Sequence, residues 1–216
     1  TELVPTATDI LLAGDLEAAE YVILGDDLYD SKSIELEEQC FSLIALQSPV
    51  AGDLRQLVSA IKIISDVERS ADLCVNICKA ARRIYSHELD ARLRGIIQKC
   101  GEQASLLFKA ATEAYLNSDG PRAAALHDMD AYLDSLHRQF IEVIFESHAS
   151  GSIDLQVAVQ LAVVARFYER IGDHAVNVGE RTRYIVDGWV PDHPYAESDN
   201  DLPEVHPDPP GESVSR

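Results

Sequence analysis

Two carboxylates one helical turn apart occur twice in this chain, in the same local setting. Glu68-Arg69-Ser70-Ala71-Asp72-Leu73-Cys74-Val75-Asn76 returns 101 residues later as Glu169-Arg170-Ile171-Gly172-Asp173-His174-Ala175-Val176-Asn177. Glu, Arg, Asp, Val and Asn keep identical spacing. Residues i and i+4 of a helix share one face, so each Glu/Asp pair stacks like charges, and the usual reason for doing so is a cation. Two more pairs of the same spacing, Asp26/Asp30 and Asp130/Asp134, stand upstream of them. If the helices that carry them lie side by side, four carboxylates converge on each of two sites. Oxygen-only ligands suit hard ions such as iron(III), manganese, magnesium or calcium, and argue against structural zinc. Bridging carboxylates can also hold a small multinuclear cluster. The competing reading is a solvated acidic face whose charges are met by Arg69 or Arg170. Four pairs in register across a duplication favour the metal.

Other polar residues carry less. Asn76 and Asn177 extend the carboxylate rows by one turn and suit either a ligand-ordering role or a structural hydrogen bond. His174 points about 100° around the helix from Asp173, which favours packing or surface over ligation. Asp134-Ser135-Leu136-His137 has a carboxylate-x-x-His spacing, but Ser33 stands at the matching place in the first copy. The paired Glu-x-x-His arrangement of di-iron oxidases is therefore incomplete. Lys79, Arg82 and Arg83, partly echoed by Arg181 and Arg183, read as a solvated basic helix end. Cys40, Cys74, Cys78 and Cys100 show no zinc or redox spacing and read as small buried hydrophobes.

The elements that must position these residues are helices. Apolar residues recur with helical period along most of the chain, and alternating strand patterns are nearly absent. The repeat extends well beyond the carboxylates. Asp53-Leu54 matches Asp154-Leu155 at the offset of 101; Asp15, Glu38 and Phe41 match Asp119, Glu142 and Phe145 at an offset of 104. The change of offset falls in a loop around Gln47-Ser48-Pro49-Val50-Ala51-Gly52, where a structural duplication tolerates an insertion. The expected fold is all-α: two tandem three-helix bundles, residues 1–86 and 87–186. Helices are expected near Leu3–Ala13, Leu16–Leu46 and Val50–Tyr85, then Glu88–Asn117, Pro121–Ser147 and Ile153–Tyr184. Ser118-Asp119-Gly120-Pro121 and Ser150-Gly151-Ser152 supply stop and cap signals. The first helix has no counterpart to residues 88–104. The first bundle is thus expected to lack most of that helix and to leave apolar surface uncovered.

On the last helix one buried stripe is expected through Val157, Leu161, Val164, Tyr168, Ile171, Ala175 and Val178, with Glu169 and Asp173 beside it. A partly buried carboxylate must neutralise, find a partner or bind metal. The formal charge of −19 argues against nucleic acid as a partner, and no apolar run has the length of a membrane span. Residues 187–216 hold six of the nine prolines and eight acids against one base, Arg216. They read as an acidic disordered tail.

With these residues in hand, the chain resembles the PhoU family of phosphate-signalling accessory proteins. The likeness covers both repeats. It is most specific at Glu169-Arg170-Ile171-Gly172-Asp173-His174-Ala175-Val176-Asn177 and at Gln47-Ser48-Pro49-Val50-Ala51-Gly52-Asp53-Leu54-Arg55. It implies a multinuclear cluster, iron by preference, at Asp26, Asp30, Glu68 and Asp72, and another at Asp130, Asp134, Glu169 and Asp173. Arg69, Asn76, Arg170 and Asn177 would support them. It implies a cytoplasmic, non-enzymatic regulator, often a homodimer, that restrains the phosphate-starvation response. Such a regulator links the ATPase subunit PstB of the phosphate ABC transporter to the sensor kinase PhoR, at the inner face of the membrane through these partners. The first copy has drifted around its acids (Ser70-Ala71 and Leu73-Cys74 replace Ile171-Gly172 and His174-Ala175), so unequal occupancy is expected, favouring the second site. The alternatives are a carboxylate-bridged metalloenzyme and a metal-free helical scaffold.

Overall fold

The computed structural model describes residues 2–188, and these form helices without a strand. The helices are α1 (Leu3–Ala13), α2 (Leu16–Leu24), α3 (Asp26–Gln47), α4 (Ala51–Arg83), α5 (Ala91–Leu116), α6 (Gly120–Ala124), α7 (Leu126–Ala149) and α8 (Leu155–Asp187). The proposed acidic tail lies outside the described residues, apart from its first two positions.

α4 and α8, each 33 residues long, run antiparallel through the centre. At one end the Arg55 guanidinium donates to the Tyr184 carbonyl at 3.3 Å and stacks on the Tyr184 ring. At the other, Arg83 donates to Gln160 at 3.3 Å. α1, α2 and α3 pack on α4, and α5, α6 and α7 pack on α8. This is the expected all-α arrangement of two three-helix units, with the third helix of each at the shared centre. The expected stripe on α8 is buried at all seven positions. One continuous core crosses both repeats, including Ile10 of α1, Ile77 of α4, Ile97 of α5 and Leu161 of α8. Asp15 and Asp119, duplicates of one another, both cap a helix by accepting a backbone N–H, from Ala18 at 3.0 Å and Arg122 at 2.9 Å.

Two details differ from the sequence reading. Each middle helix is split, at Gly25 in the first repeat and Ala125 in the second. Gly25 is a weak helix former, and the Asp26-Asp27 that follows favours a new N-terminal turn; nothing in the residues around Ala125 marks the second break. The last helix is capped by Asp154, whose carboxylate accepts the Val157 N–H at 2.8 Å, and not by Ser152.

α1 has 11 residues where its counterpart α5 has 26. It packs on α4 and α5 without reaching α3. α3 buries no residue fully, and Leu28, Ile34, Phe41 and Leu46 are exposed. α1 is held instead by Thr8. Its hydroxyl donates to the Val4 carbonyl at 2.9 Å and accepts from the hydroxyl of the fully buried Tyr168 at 2.8 Å. Gly101 makes this approach possible, since a Cβ there would come within 2.3 Å of the Thr8 hydroxyl. Cys74, Cys78 and Cys100 are buried and free, and burial pushes their thiols up to about 12, 11 and 12. They behave as the small hydrophobes that their spacing suggested.

Replacing Thr8 by Val keeps the shape but leaves the Tyr168 hydroxyl without an acceptor. The expected cost is about 1–3 kcal/mol, read as a lower urea midpoint at unchanged slope. Adding Tyr168→Phe removes the stranded hydroxyl and should recover most of that loss; a double variant no more stable than Thr8→Val alone would contradict the assignment.

Candidate metal centres

The packing of α3 on α4, and of α7 on α8, brings all eight carboxylates into two rows. In the first row Asp26, Asp30 and Asp72 each place an oxygen within 4.8 Å of the others. Glu68 joins them: burial raises its pKa, and the neighbouring Asp72 and Asp30 raise it further. Burial, then Asp72, also raises Asp26, opposed by Lys79, whose ammonium lies 3.9 Å from Asp26 Oδ2. In the second row Asp130 is pushed up to about 6 by burial, then by Asp134, Asp173 and Glu169. Glu169 is raised by burial and by Asp173, against Arg166 and His137, which lower it.

Gly172 sets the depth of Asp130. A Cβ at that position would lie 2.6 Å from Asp130 Oδ1 and 2.6 Å from Leu133 Cδ2. Without it α7 settles onto the α8 backbone and carries Asp130 inward. The first repeat has Ala71 here.

Asp26 Oδ1, Asp130 Oδ1 and Glu169 Oε2 are shut off from solvent and accept no hydrogen bond. Buried carboxylate oxygens without donors are costly, and mutual repulsion adds to the cost. A hard cation would relieve both at once. The donor set, oxygen throughout and drawn from two helices per site, fits such an ion.

The flanking residues divide. Arg69 and Arg170 are exposed, and among the described residues the ion pairs to these acids come from Lys79 and Arg166. Arg166 sits one turn before Glu169, on the same face, whereas a residue adjacent in sequence points about 100° away. The i,i+3 spacing was the signal that would have found it. Asn177 donates to Asp66 Oδ1 at 3.1 Å, and His174 Nδ1 meets the same oxygen at 2.9 Å. Both tie α8 to α4 without touching the acid rows, so Asn177 has the structural role and His174 the packing role weighed for them. Asn76 remains half-buried on α4. Asp66 escaped the sequence reading because the duplication maps it onto Phe167, which removes it from any repeated pattern. His137 faces Glu169, and Ser33 takes its place in the first row.

A family model described as the PhoU domain matches residues 1–81 and 97–182, covering both rows. The chain belongs to the PhoU family. It is 38% identical over 186 residues to phosphate-specific transport system accessory protein PhoU homolog 1 of Mycobacterium tuberculosis, covering 86% of this chain and 83% of that protein. Homolog 2 of the same organism is 37% identical, with 86% of each chain covered. An archaeal relative, PhoU homolog 1 of Methanothermobacter thermautotrophicus, is 31% identical over 83% of this chain and 82% of its own. The crystal structure of PhoU from Pseudomonas aeruginosa has the same fold, with a TM-score of 0.82 at 24% identity over 87% of this chain and 90% of that one. The phosphate transport system regulatory protein PhoU from Streptococcus pneumoniae gives a TM-score of 0.81 at 23% identity, over 89% and 90%.

The charge of the rows sets a pH dependence for this PhoU-family chain in its metal-free state. Burial and the neighbouring acids push Asp130 up to about 6, well above an ordinary aspartate, so the folded state holds the extra proton through that window. Stability is then greatest below the unfolded value and falls as the pH rises through the folded one. Asp26, Glu68 and Glu169 act in the same sense. Asp90 and Asp154, both lowered, titrate below the window. After chelation the melting temperature should be lower at pH 7 than at pH 5, and Asp130→Asn should flatten that loss. An unchanged slope in the variant would remove Asp130 as its source.

Proposed function

We propose that the chain is a regulatory adaptor of phosphate homeostasis, without catalytic activity of its own. It restrains phosphate uptake and the phosphate-starvation two-component response when phosphate is plentiful. The observation that carries this reading is the match, along 86% of the chain, to proteins named as phosphate-specific transport system accessory proteins. In this reading it connects the transporter ATPase subunit PstB to the sensor kinase PhoR, in the cytoplasm or at the inner face of the membrane, and acts as a homodimer. No described helix is long and apolar enough to cross a membrane, and the net charge of −19 is unsuited to a phosphate-backbone partner.

Asp26, Asp30, Glu68 and Asp72 would hold one multinuclear cluster, and Asp130, Asp134, Glu169 and Asp173 the other. Iron is the first candidate, with manganese, magnesium and calcium behind it. The ion would supply positive charge where each middle helix meets its third helix. The chain's own contribution is to present oxygens that have no other partner and to hold α3 on α4 and α7 on α8 so that those oxygens face one another. A regulator needs no more than this from a metal.

Deleting the gene should raise expression of the phosphate regulon in phosphate-rich medium, and a pull-down from phosphate-replete cells should recover PstB and PhoR. Unchanged expression would remove the regulatory reading. Elemental analysis tests the clusters separately: the purified protein should carry metal, and the pairs Glu68→Ala/Asp72→Ala and Glu169→Ala/Asp173→Ala should each lose part of it. Equal content in all three proteins would leave the acids as a solvated face.

A further inference from the structure

The duplication gives each carboxylate row an internal control. The eight acids match one another, but the residues at the ends of the rows do not. At the Glu169 end of the second row stands Arg166, which pairs with the Glu169 carboxylate, while His137 on α7 opposes the upward pKa shift of the same group. Their counterparts are Ser65 and Ser33. These line an open cleft of about 260 Å³ with Asp30, Glu37 and Glu68. Glu37 is itself matched by Ile141 in the second repeat. The first row thus ends in hydroxyls and an extra carboxylate, and the second in cationic or basic groups. The first row has its cation at the opposite end, where Lys79 stands 3.9 Å from Asp26, beyond hydrogen-bond length. Glu180 occupies the matching position in the second repeat and faces His127 at 3.7 Å.

We propose that Arg166 is a built-in competitor for the cation at the second site, and that the first site, with Ser65 in that place, takes its ion first. This rests on the reading of the two rows as metal centres. The guanidinium keeps its charge at every physiological pH. One Glu169 oxygen is engaged by Arg166 and the other is buried without a partner. Only three first-row acids bring their oxygens together as a ready cradle among the described residues. A cation in the second row would compete with Arg166 for Glu169 Oε1, whose partner oxygen is already buried and without a donor. The Arg166 side chain is 56% exposed and can swing into water, whereas that of Glu169 is only 14% exposed and stays. Arg166 is therefore a gate that raises the cation concentration needed at the second site. The two sites become sensors with different thresholds, built from the same carboxylates. This reverses the order of filling suggested by the drift around the first motif: the second site keeps the better preserved motif, but a neighbour outside the motif decides how readily it fills.

The test is calorimetric titration of the chelator-stripped full chain with Mn²⁺, using one row at a time. In a Glu68→Gln/Asp72→Asn background only the second row reports. There Arg166→Ser should tighten Mn²⁺ by up to about fivefold, the upper end of the range expected for releasing a partly exposed ion pair, and Arg166→Lys should leave it weak. In a Glu169→Gln/Asp173→Asn background, Ser65→Arg should weaken the first row by a similar factor. Circular dichroism melts confirm that each variant is folded. If Arg166→Ser leaves Mn²⁺ affinity unchanged or lowers it, the competitor role is overturned while the metal reading stands. If the unaltered chain binds no Mn²⁺ at all, the metal reading fails and the inference falls with it.

Discussion

α4 and α8 lie antiparallel through the middle of the molecule, and every other helix packs against one of them. The placement of the acids follows from that contact. Each central helix has one face turned to its twin and another turned to its own bundle. Glu68 and Asp72 sit at the edge of the second face on α4, and Glu169 and Asp173 at the edge of the second face on α8. Glu68, Asp72 and Glu169 are therefore half-shielded, and Asp173 stays exposed, but all four are near enough to the middle helix to meet its Asp pair. A carboxylate row on an isolated amphipathic helix would be solvated and unremarkable. Here it is packing of a neighbouring helix that makes the charges costly.

The seam between the two central helices is not symmetric. Asp66 bridges to His174 and Asn177 across it. The same 101-residue offset maps Asp66 onto Phe167 and His174 back onto Leu73, so the duplicate of a charged contact is an apolar pair. The flanks of the acid rows diverge in the same manner, Arg166 against Ser65 and Glu180 against Lys79. Duplication preserved what each bundle needs for itself, its apolar stripe and its acids. It released the residues between the bundles and at the row ends to differ.

That division explains what could be read from the sequence. The stripe of α8 and the two acid pairs per repeat have a period or a repeat, and both stand in the structure where the pattern put them; the insertion expected in a loop instead lengthens helices, since residues 48–50 link α3 to α4 where residues 150–154 link α7 to α8. Asp66 has neither, because its partner lies 108 residues away on another helix. Arg166 had a local signal in its i,i+3 spacing, but it lies outside the repeated motif, whose own arginines point elsewhere. The split at Gly25 was marked by glycine and following acids; the split at Ala125 was marked by nothing. The contact of Thr8 with Tyr168 arises because a short α1 lodges against α5, a matter of tertiary fit that no local pattern encodes.

That last contact also sets an order of events. Thr8 and Tyr168 are 160 residues apart, and α8 is the last of the described helices to be made. A ribosome adding roughly 5–20 residues per second needs about ten seconds or more to cover that interval. Throughout it Tyr168, the partner of the Thr8 hydroxyl, is still to be made, and the face of α4 that packs on α8 stays uncovered. The face of the first repeat that packs on α8 is completed only with the second repeat, although its own sequence is made sooner. The shared seam of α4 and α8 makes the two repeats one packed unit rather than two modules in succession.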